Sequence, residues 1–279
     1  MATVRVQKPG EEKIDAHLAR LGADDVLVRS WGSLAYFKDQ RDVAGEAARS
    51  SKHAGADKRP DADQRTDAGR DANGHTGPRA GERSNTSPVL HGDFSLNVTN
   101  SITAGWVLGH GLETITAAHD LDRDQLMALL AACPRGRVAV TLHHHIPTFH
   151  TEHCVYAHLL STGRDYRTCG RPCEKHEVAL RDRVGLVHPV IVDVGCRNTV
   201  FNAQAQSAAT LVPDLLARGV RRFRLELVRE TAEEARRLYA AYAKLVAGAM
   251  TPADVVKAAA VHEQFGVTRG TMRTLTVLR

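Results

Sequence analysis

No apolar run in the 279-residue chain approaches the roughly 18 residues that a membrane-spanning helix needs. Met1 to Gly10 also lacks the apolar core of a secretory leader, so a cytoplasmic protein that does not enter a membrane is expected. From Arg41 to Pro88 large aliphatic and aromatic residues are missing, Val43 apart. Such a stretch cannot bury enough apolar surface to offset its ordering entropy. Residues 39–88 are therefore expected to be a disordered insertion. Their charges are mixed and nearly balanced, which excludes a basic nucleic-acid tail. No internal repeat is found, which excludes a solenoid. The overall charge of +5 permits an RNA partner without requiring one.

Outside the insertion, strand and helix signals alternate. Ile14, Leu18 and Leu21 have helical spacing, and Gly22 ends that helix. Strands are expected at Asp25–Arg29, Asp93–Thr99, Glu113–Thr116, Arg137–Leu142, Val190–Val194 and Arg222–Val228. Helices are expected around Trp106–Leu108, after Asp122, after Thr231 with Glu234 as a capping box, and after Thr251-Pro252 up to Gly266. The alternation predicts the α/β class, as a partial TIM-like (β/α) barrel lacking its first strands. Residues 1–38 would start the barrel fragment and 89–248 would form the barrel with a cysteine-rich centre. Residues 249–279 would be a C-terminal helix and tail.

Five cysteines in a reduced compartment read as ligands, nucleophiles or core residues rather than disulfides. Cys133 falls on the apolar face of a helix with Leu126, Leu129 and Leu130, and reads as core. The other four run Cys154-x14-Cys169-x3-Cys173-x22-Cys196. This lacks the two close pairs of a zinc ribbon or finger. Four thiolates suit a tetrahedral zinc or a 4Fe–4S cluster. Irregular spacing favours iron–sulfur, because separate loops converge on such clusters, and zinc stays the alternative. In Cys169-Gly-Arg-Pro-Cys173 a free-turning Gly170 and a stiff Pro172 would aim two sulfurs at one point.

His143-His144-His145 is expected to end a strand, with His143 and His145 on one face and His144 on the other. Active sites lie at that end of barrel strands. Glu152, His150 and His153 precede Cys154 and are candidates for acid–base work. The spacing of His150-Thr-Glu-His153 is not that of a helical zinc protease. His143, His145, Arg197, Asn198, Asn202 and Arg224 are candidates for substrate binding in the same cavity as the thiols. A cysteine nucleophile, Cys154 with His150 or His153, is the rival chemistry, but it explains one cysteine of the four.

Pro147-Thr-Phe-His-Thr-Glu-His-Cys154, Cys169-Gly-Arg-Pro-Cys173, His188-Pro189 and Asp193-Val-Gly-Cys-Arg-Asn-Thr-Val-Phe-Asn202 resemble the U32 peptidase family, the collagenase-like group. Gly92 to Asn100 is similar to the family's preceding barrel strand. The resemblance spans roughly residues 12–38 and 89–275, and is strongest over 147–206. It implies a TIM-like barrel and, by the family's name, peptidase activity. It also implies kinship with iron–sulfur proteins that hydroxylate RNA or a ubiquinone precursor without molecular oxygen. In those members four cysteines hold a 4Fe–4S cluster. The matching positions here are Cys154, Cys169, Cys173 and Cys196, with Glu152 as the acid ahead of the first. Two departures are a longer gap between the first two cysteines and the missing opening strands. Three functions follow as expectations. The first is iron–sulfur-dependent hydroxylation of RNA or a small aromatic substrate. The second is a peptidase using cysteine or metal. The third is a non-catalytic half-barrel that joins a protein partner completing the barrel.

Overall fold

The computed structural model describes residues 1–54, 87–259, 267 and 268. The chain divides into two compact units. One comprises Met1–Leu96 and Trp106–Glu113, the other Asn97–Gly105 and Thr114–Arg279.

In the first unit helix α1 (Glu12–Arg20) leads into strand β1 (Asp25–Val28), helix α2 (Trp31–Ala54) and strand β2 (Val89–Gly92). The strands pair in parallel with Val26 opposite Leu90. Val26, Val28 and Leu90 are buried, as period-2 alternation requires. Asp15 is buried on α1 and accepts hydrogen bonds from Ser33 of α2 and from Gln7, so its charge is satisfied inside. Helix α2 carries past Asp39, where the insertion was expected to begin. The rest of that segment, 55–86, lies outside the described residues.

The strand expected at Asp93–Thr99 is absent: the extended stretch is β2, and a 3-10 turn at Phe94–Leu96 follows it. Buried Asp93 bends the chain, since its carboxylate accepts from Arg29 and from Ser95. Asn97, at φ +56°, then breaks any extended run.

The described elements of the second unit include helix α3 (Ser101–Gly109), which begins there, and strand β3 (Thr114–Thr116). Helix α4 (Arg123–Ala132) follows, with both arms of a capping box between Asp122 and Gln125. Strand β4 (Val138–Thr151) is much longer than the sequence suggested. It does not stop at His143–His145 but continues for six more residues. Its first half is parallel to β3 and to strand β8 (Arg222–Leu225). Its second half is antiparallel to strand β7 (Asn198–Ser207).

Between β4 and β7 the chain makes an excursion. It holds helix α5 (Val155–Leu160) and the antiparallel strands β5 (Val178–Arg181) and β6 (Val187–Val192). Helix α6 (Val212–Ala217) returns the chain to β8, and α7 (Ala232–Val246) and α8 (Pro252–Ala258) follow. Strand β9 (Val267–Thr268) pairs with β7. The stop expected at Gly266 lies outside the described residues.

The α/β class thus holds in both units. The second is a parallel part-barrel (β3, β4, β8) with an antiparallel extension that the sequence did not suggest. Its buried apolar residues include Val138, Val140 and Leu142 of β4, Leu126 and Leu129 of α4, and Leu238 and Leu245 of α7. Cys133 is the C-cap of α4 rather than part of its apolar face, and is half-buried. Burial pushes its thiol up, and no other cysteine contributes to that shift.

Candidate metal centre

The excursion after β4 carries all four expected ligands. Cys154 is the N-cap of α5, and its Sγ accepts the Ala157 N–H at 3.5 Å. Cys169 ends a turn that Asp165 organises by accepting from the backbone of Arg167 and Thr168 and from the Thr168 hydroxyl. Cys173 lies in a 3-10 turn, Pro172–Glu174, which Gly170 (φ +69°) and Arg171 (φ +50°) precede. Cys196 occupies the left-handed region at φ +61° in the turn between β6 and β7. A non-glycine residue there is uncommon and concentrates at functional sites. The Asp193 carboxylate holds that turn by accepting from the N–H groups of Gly195 and Arg197 at 2.8 and 2.9 Å.

These loops bring the four sulfurs together. Burial pushes the Cys196 thiol up, and the charges of Cys154, Cys169, Cys173 and Asp193 add to that shift. All four are free and half-buried. Cys154 and Cys173 pack against the buried cluster Tyr156, Val190 and Val200. Cys154, Cys169 and Cys196 line a cleft of about 460 Å³ with Glu152, His153 and Tyr166. Among the described residues, no three of the thiols fall within 4.8 Å of one another; the group of three possible ligands that does is His143, His145 and Glu230.

Glu152 stands half-exposed on the wall, with one oxygen 3.3 Å from Nε of Arg197. Arg197 is almost fully buried, and Asp193 lies 4.0 Å from its other side. Asn198 is buried too. Its Oδ1 accepts the Val155 N–H at 3.0 Å, and its Nδ2 donates to the Cys196 carbonyl at 3.3 Å. It therefore ties the loop of Cys196 to the start of α5. His153 lines the cleft, with its ring 5.1 Å from that of His158. His150 does not line it; its Nδ1 lies 2.9 Å from the Thr199 hydroxyl across the β4–β7 ladder.

The remaining candidates do not share the thiols' cavity, which corrects the expectation that they would. The length of β4 is the reason: His143 to Thr151 is about 26 Å of extended strand. His143 is fully buried and His145 nearly so, on one face of β4. His144 points to the other face and stacks on His119 at 3.9 Å. Burial, then the neighbouring histidines, hold His144 neutral, with its pKa pushed down to about 2. The Asn202 carbonyl accepts from His145, and Arg224 pairs with Glu226 at 2.7 Å.

Sequence reasoning missed Glu230, which faces His143 and His145 and is itself buried. Burial raises its carboxyl, but the two imidazoles and backbone N–H groups outweigh this and hold it below the usual carboxylate range. Its place just past the end of a barrel strand was the available signal. Arg229, also missed, bonds the carbonyls of Val178 and Val190 and so fastens β5 and β6.

An α/β protein whose strand extension gathers four free cysteines is the class these features define. The model of peptidase family U32 matches residues 82–267 of the 279, and the chain belongs to that family. No curated protein and no solved structure matches it. Among the described residues no helix is long and apolar enough to cross a membrane.

Proposed function

We propose that Cys154, Cys169, Cys173 and Cys196 hold one 4Fe–4S cluster, and that the protein serves in the oxygen-independent hydroxylation of RNA. The convergence of four free thiols, three of which, Cys154, Cys169 and Cys173, raise the pKa of the fourth, Cys196, carries this reading. Four thiolates at one place become favourable once a cation sits among them. A tetrahedral zinc, with Zn–S bonds of about 2.3 Å, would set its sulfurs about 3.8 Å apart. The thiols are spread more widely than that. A cubane binds each thiolate to a different iron and suits the wider spread.

The cluster, when bound, would supply electron transfer: replacing a substrate hydrogen by a water-derived hydroxyl releases two protons and two electrons, and the electrons would leave through the cluster to an external electron acceptor. The chain's own residues would do the rest. Arg197 holds the Glu152 carboxylate on the cleft wall, where it can accept a proton from a bound substrate. His153 lines the same wall. Tyr166, 61% exposed, offers a stacking face for a splayed base. Arg164, Arg167 and Arg171 are exposed on the same loop and suit phosphates. That pairing of aromatic face and cations favours RNA over a free small aromatic molecule.

The test compares cellular RNA nucleosides, by mass spectrometry, from strains with the gene deleted and with it restored. A pyrimidine nucleoside heavier by one oxygen is expected in the restored strain. It should vanish on deletion and with Cys169→Ala. Cleavage of collagen peptides by the purified protein that survives Cys169→Ala would instead show a thiol peptidase using Cys154.

A further inference from the structure

A second set of ligand-type side chains lies at the middle of the long strand β4, where its parallel half gives way to the antiparallel one. His143 and His145 are two apart on β4 and share a face. Glu230 arrives from the segment between β8 and α7. The two strands are parallel with Leu225 opposite His143, so both deliver their groups at one sheet end.

Glu230 Oε1 lies 3.4 Å from His145 Nε2 and 4.0 Å from His143 Nε2. The three ligand atoms all lie within 4.8 Å of one another. His143 Nε2 and Glu230 Oε1 are buried and have no hydrogen-bond partner. The far side of each ligand is already held. Glu230 Oε2 accepts the N–H groups of Val228 and Arg229 at 2.6 and 3.1 Å. His145 Nδ1 donates to the Asn202 carbonyl at 2.7 Å. A carbonyl only accepts, so Nδ1 carries a proton, and Nε2 is the atom that faces Glu230. His143 Nδ1 meets the Tyr242 hydroxyl at 3.3 Å, which meets Ser207 Oγ at 2.7 Å. A Tyr242 that donates to Ser207 accepts from His143 and so places a proton on that Nδ1 too.

Two imidazole nitrogens and a carboxylate oxygen that converge in a buried site, two of these atoms with no hydrogen-bond partner, form a set that a cation between them completes. We infer that His143, His145 and Glu230 bind a divalent transition-metal ion, separate from the thiols and independent of what they hold. Two imidazoles and one carboxylate form a ligand set for first-row metals and leave positions open for water or substrate. Bonds of about 2.1 Å place such ligand atoms about 3.0–3.5 Å apart, close to the spacing here. Outer hydrogen bonds that fix the tautomer are the usual companions of metal-bound histidine. His145, 13% exposed, gives the ion access. Because β8 and the first half of β4 meet at this end, the ion would sit where barrel enzymes place substrate.

The full chain, purified without oxygen, is titrated with Mn2+, and loss of the free-ion electron paramagnetic resonance signal counts bound metal. Manganese is hard and avoids thiolates. About one Mn2+ per chain is expected, with a rise in melting temperature on binding. His145→Ala and His145→Gln should each weaken binding at least about 100-fold, beyond the loss of an outer partner, and remove the melting shift. Cys169→Ala should leave manganese binding unchanged. Should wild type take up no Mn2+, or His145→Ala and His145→Gln bind it as wild type does, the inference is overturned. A protonated imidazole paired with Glu230 is then the occupant.

Discussion

At Gly163 a side chain has no room. A Cβ there would lie 2.3 Å from the Thr168 carbonyl oxygen and 2.6 Å from the Cα of Cys169. Both are backbone atoms, so the turn itself would have to move. Gly163→Ala is expected to displace Cys169 and to abolish iron retention while leaving far-UV circular dichroism within a few per cent of wild type. Full iron content in that variant would show that Cys169 is not a required ligand.

The same scale shows what residue types reveal. That Cys154, Cys169, Cys173 and Cys196 lie near one another, with Glu152 in one cleft with three of them, was legible because four thiols in one short segment point to a common centre. Glu230 was passed over, since the place of a lone acid just past a strand end is a weak signal by itself. Its meaning comes only from the two imidazoles it meets. Asn198 was read as a substrate ligand, yet both its side-chain groups are engaged in tying Cys196 to α5.

Among elements, capped helices were the best anticipated. Thr231 caps α7, its hydroxyl accepting the Glu234 N–H while Glu234 reaches back to the Thr231 N–H. Thr231→Ala removes one arm of that box and is expected to cost about 0.5–2 kcal/mol, measured by urea denaturation. An unchanged midpoint would show that packing of Leu238, Tyr242 and Leu245 alone holds the helix.

The strands were read less well. The β4 pattern breaks at Pro147, and the register shifts on either side of it, so the alternation that marks a strand is lost there. Strand β7 buries its alanines 203 and 205, which carry too little apolar signal to announce a strand. Those two oversights concealed the antiparallel extension. They also placed His143 and His145 beside the thiols instead of at the middle of β4.

In the whole molecule, β4 runs between two groups of candidate ligands. Its barrel half ends at two histidines and a glutamate, and its extension ends at four thiols. The chain belongs to family U32, and a thiol peptidase using Cys154 would leave three of the four cysteines without work. The central claim is that one 4Fe–4S cluster occupies the thiols. Iron and acid-labile sulfide, quantified per folded chain after anaerobic purification, test it most directly. The account predicts about four of each, with loss of both in Cys154→Ala. A folded, colourless protein with one zinc per chain, or with no metal at the thiols, would contradict it.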